Sequence, residues 1–169
     1  MPSFFIKLRG DSAALPPRPT SKSVAIAWLG GAITIAACAS LTSALSTMLV
    51  LGSFGASCVL VFGYPDAPFS QPRNVLVGHI LSSAIGLLGM HLFGPTWWGM
   101  AISVGTAIAL MMITRTVHPP AGSNPVIVFL SNPGWNFLLF PTAVGALVIV
   151  AVALLYNNAT RSARYPKYW

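Results

Sequence analysis

The residues best suited to chemistry stand together in the stretch Arg115-Thr116-Val117-His118-Pro119-Pro120-Ala121-Gly122-Ser123-Asn124-Pro125. Arginine, histidine, serine and asparagine gather here inside an otherwise apolar region. Polar side chains at membrane depth are costly, so this concentration points to a binding site. Two consecutive prolines preset the backbone for a helix start and remove amide donors that would be orphaned there. The backbone amides of Ala121, Gly122, Ser123 and Asn124 are then expected to face the break. A helix start in a low-dielectric setting suits an anion, and Arg115 and His118 would add charge or hydrogen bonds.

A second stretch, Ser53-Phe54-Gly55-Ala56-Ser57, reads as a matching helix start, offering the amides of Gly55, Ala56 and Ser57 with two hydroxyls. Arg73, at the beginning of a later helix, is expected to draw an anion in electrostatically. His79 lies about one turn inside that helix. An imidazole titrates near neutrality, so His79 or His118 is the expected proton-coupling group. His91 and Asp66 read as structural. Cys38 and Cys58 sit in apolar runs without a CxxC pattern or companion ligands, so neither metal nor cofactor is expected. No Walker-type GxxxxGK points to ATP. Enzymatic activity is not expected either. Paired carboxylates, a nucleophile elbow and HExxH are all missing, and His118 with Ser123 has no acidic orienter.

The elements that must hold these residues follow from composition. The 169 residues are 55% hydrophobic and 7% charged, with a mean hydropathy of +0.76, whereas soluble domains are about a quarter charged. Between Ser23 and Thr160 the only charges are Asp66, Arg73 and Arg115. Most of the net charge of +7 sits in the flanks without interleaved exposed aromatics, which argues for lipid-facing tails and against nucleic acid binding. Spanning helices are expected from Val24 to about Ala44, Val75 to Phe93, Trp97 to about Thr114, and Phe137 to Tyr156. The Gly52, Ser53, Gly55 cluster should break the first long apolar run, and Ala121–Leu130 reaches only half-way across a bilayer.

The expected fold is all-α and membrane-embedded: four full-length transmembrane helices plus two short broken or re-entrant segments, arranged as a two-fold internal repeat. The repeat rests on GASCVLVF at residues 55–62 echoing GSNPVIVF at 122–129, and on duplicated halves being the usual build of secondary transporters. Residues 1–23 form a cytosolic tail, 24–160 the membrane domain, and 161–169 a basic, aromatic cytosolic tail. If the short segments cross, the chain spans six times and every basic residue lies on one side, as the positive-inside bias favours. Segment length instead favours four crossings.

The strings TRTVHPPAGSNP, GASCVLVF, PDAPFSQPRNVLVGH and the terminal YNN…RYPKYW resemble the HPP family of integral membrane proteins, from about residue 18 to 169. The resemblance implies four membrane-spanning helices. Plastid and cyanobacterial relatives are associated with nitrite transport, so it also implies a transporter and suggests nitrite. The expected protein is then a permease for a small inorganic anion in a bacterial plasma (inner) membrane, both termini cytoplasmic, with self-association through its Gly- and Ala-rich faces. The rivals are a non-transporting scaffold or sensor subunit and a membrane enzyme.

Overall fold

The computed structural model describes Leu8 and residues 13–169. Lys7, Arg9 and Asp11 of the N-terminal tail lie outside the described residues. Helix α1 spans Ser21–Leu45 and opens at Thr20, whose Oγ1 accepts the Ser23 amide at 3.2 Å. It closes at Ser46, which turns left-handed with φ 49°. The Leu49 amide then donates to Thr42 Oγ1 at 2.9 Å, back on α1, and the chain stays extended through Leu51. Helix α2, Gly52–Cys58, begins only there and loosens into a π turn over Val59–Gly63. The break therefore precedes the Gly52, Ser53, Gly55 cluster: those residues start the new helix and do not end the old one.

After a proline-rich loop, α3 runs Pro72–Phe93 and α4 Trp97–Ile113. Thr116 to His118 follow as extended chain, a 3-10 turn covers Pro119–Ser123, and α5 covers Asn124–Ser131. Irregular turns over residues 135–143 lead into α6, Val144–Thr160. Among the described residues there are six α-helices and no strands.

Three helical runs are long and apolar enough to cross a membrane: Ser21–Leu45, Pro72–Phe93 and Trp135–Thr160, the last broken by a kink at Phe140, so that the helix expected over Phe137–Tyr156 is regular only from Val144. The expected count of four full-length helices is thus corrected to three. Helix α4 has 17 residues, which gives a length of about 25 Å against a hydrocarbon core of about 30 Å. It is clipped at both ends. Thr96 caps its start by accepting the Gly99 amide, and the left-handed Arg115 (φ 57°) ends the helical path after Thr114. The two-fold repeat is not reproduced in local structure either. In the first short segment the α-helix comes first and the loose turn last. In the second a tight turn comes first and the α-helix last.

Helix α3 is the post around which the rest packs. Gly78 and Gly86, eight residues apart, let the 116–125 segment lie directly on it. A Cβ at Gly78 would stand 2.8 Å from His118 Cβ and 3.1 Å from the Thr116 carbonyl, and one at Gly86 would stand 2.8 Å from Pro125 Cα. Those contacts are far below ordinary carbon–carbon separation, so only glycine admits this approach.

The basic residues gather at one end of the bundle. Arg73 donates to the carbonyls of Thr114 and Arg115 at 3.0 and 3.1 Å. Asp66 pairs with Arg161 and, at 3.1 Å, with Lys167. The C-terminal tail is tied down beside them: Tyr165 Oη donates to the Ser70 carbonyl at 2.7 Å, and the Lys167 amide to Gln71 Oε1 at 2.7 Å. Pro16, Pro17 and Pro19 line one groove with Gly63 and Tyr64, which brings the start of α1 to the same end.

Candidate functional site

The two short segments meet each other against α3, and there the polar residues come together. Ser57 on α2 stands between two histidines. Its Oγ lies 2.9 Å from His79 Nε2 on α3 and 2.8 Å from His118 Nε2 at the head of the proline segment. The ring centroids of His79 and His118 are 5.0 Å apart, and Phe54 closes the far side of His79 edge-on at 5.1 Å. Ser57, His79, His118 and Asn124 are all completely buried.

The outer partners of this trio fix its protons. His118 Nδ1 lies 2.7 Å from the Phe69 carbonyl. A carbonyl only accepts, so Nδ1 carries the hydrogen and Nε2 is left as an acceptor. His79 Nδ1 lies 3.0 Å from Asn124 Nδ2, which only donates, so His79 carries its hydrogen on Nε2. The two histidines hold opposite tautomers, and one hydroxyl satisfies both: His79 Nε2–H donates to Ser57 Oγ, and the Ser57 hydroxyl donates to His118 Nε2. The Ser53 carbonyl, 3.1 Å away, is an alternative acceptor for that hydroxyl one turn back on α2.

The network continues into the core. Asn124 Nδ2 also donates to Ser83 Oγ at 2.9 Å, and Ser83 meets Thr142 Oγ1 at 3.1 Å. Ser82 Oγ donates to the Ala121 carbonyl at 2.6 Å, and Asn74 Nδ2 to the Val117 carbonyl at 2.9 Å. These bonds hold the proline segment in place. Two buried atoms of the region have no partner: Asn124 Oδ1 and Ser53 Oγ. Ser53 lines a crevice of about 740 Å³ between the two short segments, together with Gly52, Ala56, Pro119, Pro120 and Ser123.

Of the residues expected at the site, Ser57, His79, His118 and Asn124 are brought together. Ala121 is buried beside them, but its amide is committed to the His118 carbonyl at 2.9 Å, and the Asn124 amide bonds the Ala121 carbonyl. These two donors are therefore not free to face an anion. Gly122 is half-buried, and Ser123 is exposed with its hydroxyl turned onto the Pro120 carbonyl at 2.8 Å. Ala56 reaches the crevice, whereas Gly55 lies on the opposite face of α2, in the groove shared with α1. Arg73 and Arg115 are not part of the cluster. Arg73 straps the carbonyls ahead of the proline segment, and Arg115 is exposed.

Ser82, Ser83, Thr142, Asn74 and the Phe69 carbonyl complete the site without having been singled out by the sequence. For the two serines a signal existed: positions 79, 82, 83 and 86 fall on one face of a helix, so they form a small, polar stripe running up from His79. His91 is exposed at the far end of α3, and Asp66 is the loop partner of Arg161.

The sequence matches the HPP transmembrane-region family over residues 16–166. A transmembrane protein of Dictyostelium discoideum is 34% identical over 178 aligned residues, covering 98% of this chain and 57% of its own length. A second transmembrane protein of that organism is 32% identical, covering 91% of this chain and 58% of its own length. The chain thus spans little more than half of these relatives, and neither name carries a substrate. No solved structure matches. Both relatives are eukaryotic, so the expected bacterial inner membrane narrows to membrane residence alone. With a match that runs through both short segments and all six helices, the chain belongs to the HPP family and is an integral membrane protein.

Proposed function

We propose that this chain is a permease for a small inorganic anion, with nitrite the first candidate, and that the solute passes through the crevice between the two short segments. The observation that carries the reading is the Ser53 hydroxyl, buried on the crevice wall with no partner. A buried donor without an acceptor is costly, and a passing anion supplies the acceptor. In this reading the short segments complete two further crossings. The chain then spans six times with its described basic residues on one side.

This reading takes the anion-binding role away from the amides of the proline segment. With the amides of Ala121 and Asn124 bound and the Ser123 hydroxyl held on the Pro120 carbonyl, the Ser53 hydroxyl is the unpartnered donor at the crevice. Arg115, exposed at the basic end, acts only through the field at the entrance, an effect that added salt suppresses. A Ser57–His118 pair would suit acyl transfer, but Ser57 is sealed from the crevice, which speaks for transport over an enzyme.

One observation favours a second reading, a scaffold or sensor subunit: both nitrogens of His118 and the amides of Ala121 and Asn124 are internally satisfied. Uptake of nitrite into liposomes containing the purified protein, compared with formate, nitrate and chloride, separates the two. Uptake above empty liposomes, reduced several-fold by Ser53→Ala, is the permease result. Folded protein that moves none of the four anions leaves the scaffold.

A further inference from the structure

A second depression, a groove of about 950 Å³, runs along α1 on the side away from the crevice. One wall is α1 from Ser23 to Ala39, where the lining positions recur every four residues and so form a single stripe. Sixteen steps of about 1.5 Å make that stripe about 24 Å long, most of a hydrocarbon core of about 30 Å. The other wall is Gly55 and Val59, continuing to Gly63 and Tyr64. The groove is open to the side: Trp28, Val59 and Tyr64 on its walls are 72%, 62% and 65% exposed. Its width comes from absent side chains. A Cβ added at Gly55 or Gly63 would meet nothing within 4 Å.

The groove has a polarity along its length. The only hydroxyl side chains among its lining residues are those of Ser23 and Tyr64, and both stand at the basic end. Arg18 lies there between the lining residues Pro17 and Pro19, and Lys22 directly precedes Ser23. Both cations are exposed, and among the described residues neither has an ion pair. Asp66, the one acidic residue described, is taken by Arg161 and Lys167. Depth agrees with this placement. The 25 residues of α1 make about 37 Å, longer than the hydrocarbon core, so its first turn reaches the headgroups.

We propose that this groove binds one anionic phospholipid, with the phosphate held by Arg18 and Lys22 and an acyl chain laid along α1 over Gly55. The proposal is independent of what the crevice passes.

Charge decides the occupant. A neutral lipid fills the apolar length but leaves the two cations without a counter-charge. A second copy does worse. Copies inserted in the same sense pair like face with like face about a two-fold axis, which sets the same two cations of both copies side by side. An anionic headgroup supplies the missing charge, and basic residues at the membrane surface attract such lipids. A small polar solute has no use for a trough whose polar groups are confined to one end.

Native mass spectrometry of the full chain in detergent, titrated with phosphatidylglycerol or phosphatidylcholine of identical acyl chains, tests the site. The wild type should retain one phosphatidylglycerol at a several-fold lower lipid concentration than it needs for phosphatidylcholine. Arg18→Gln combined with Lys22→Gln should erase that preference. Arg164→Gln, which removes an exposed cation of the C-terminal tail, should leave it standing. Gly55→Leu fills the groove from α2, and Ala36→Leu fills it from the exposed face of α1. Each should lower retention of both lipids several-fold without lowering the thermal midpoint. The two act from opposite walls, so a folding defect in one leaves the other to decide. Equal retention of the two lipids by the wild type overturns the phosphate site. So does a preference that survives loss of both cations, or one that Arg164→Gln weakens as much. Undiminished retention in a folded groove variant overturns the groove. A wild-type dimer that Gly55→Leu converts to monomers, with lipid retention unchanged, assigns the face to a second copy and overturns the proposal.

Discussion

The two short segments are placed like partners, but they build the site in different ways. Helix α2 is an uninterrupted helix that contributes one hydrogen-bonding side chain to the two histidines, the Ser57 hydroxyl, from its second turn. The proline segment contributes from both ends, His118 before its turn and Asn124 after it. An unbroken helix would turn those two residues about 120° apart around its axis, since six steps of about 100° separate them. Pro119 and Pro120 forbid that path. His118 instead sits in extended backbone, φ −133° and ψ 97°, and both side chains reach the same histidine–serine group. A break in a helix here is a means of bringing residues six apart onto one target.

The sharpest way to break the comparison is to push the proline segment off α3 and leave α2 alone. Gly78→Val places a branched side chain where a single Cβ already meets His118 Cβ at 2.8 Å and a backbone carbonyl at 3.1 Å. The neighbour on the carbonyl side is main chain and cannot rotate away, so the cost should exceed about 3 kcal/mol, the upper part of the range for overpacked cores. Thermal unfolding in detergent should show a loss of folded protein, or a midpoint lowered by more than 6 °C or so for a chain of this length. A near-normal midpoint would mean that His118 is not held against α3.

The next contrast sets one side chain from each segment against the other. Asn124→Ala removes the donor to both His79 Nδ1 and Ser83 Oγ, leaving buried groups without their partner. Each such orphan costs about 1–3 kcal/mol, so a loss of roughly 2–4 kcal/mol is expected. Ser53→Ala removes a buried hydroxyl that had no partner and should be neutral or slightly stabilising. Equal losses at the two positions would show that α2 is tied into the polar network as firmly as the proline segment is.

That contrast also marks what the sequence could convey. The polar proline segment was legible because its residue types are expensive in lipid wherever they stand, and the three long helices because their apolar runs are continuous. The break before α2 was not. The stretch Ser46–Leu51 holds no proline or glycine, and what stops the helix is Ser46 turning left-handed while the Leu49 amide is captured by Thr42. The site itself was half-legible. Four of its side chains were named, but Ser57 and His118 lie 61 positions apart. No local pattern says that they share a hydrogen bond, or that the Ala121 amide is used up by His118. Arg73 and Arg115 misled for a related reason: a charge in a membrane sequence is conspicuous whether it meets a solute or a carbonyl.

Arg73 gives the third test, because it straps the entry to the proline segment. Its guanidinium donates to two carbonyls in an exposed setting. Charge-assisted bonds of this kind are worth more than neutral ones, but water competes for the group. Arg73→Ala should cost about 1 kcal/mol, and Arg73→Lys, which cannot span both carbonyls from a planar fork, should recover only part of it. Full recovery by lysine would assign the residue to charge alone.

The loop that follows α2 has its own fastening, and there the smallest effect is expected. Asp66 sits between Arg161 and Lys167, which draws the C-terminal tail over the loop that presents the Phe69 carbonyl. Its slight burial works to raise the carboxyl pKa, but the hydrogen bonds and charges of Lys167 and Arg161 outweigh it and leave the value below the ordinary one. A carboxylate with a depressed folded-state pKa stabilises the protein above its unfolded value, and the contribution is lost as the pH falls through the folded value. The side chain is 53% exposed, so solvent screening holds the pair to roughly half a kcal/mol. Asp66→Asn should therefore lower the thermal midpoint by about 1–2 °C at neutral pH and low salt. The two proteins should converge in high salt, where exposed pairs are screened, and again in acid, where the wild-type carboxyl is protonated. Tyr165 and Gln71 hold the tail through neutral bonds that neither condition touches. A gap that persisted under both conditions would mean that Asp66 orders the loop by its shape and not by its charge, and the two segments would then be fastened by the same kind of contact.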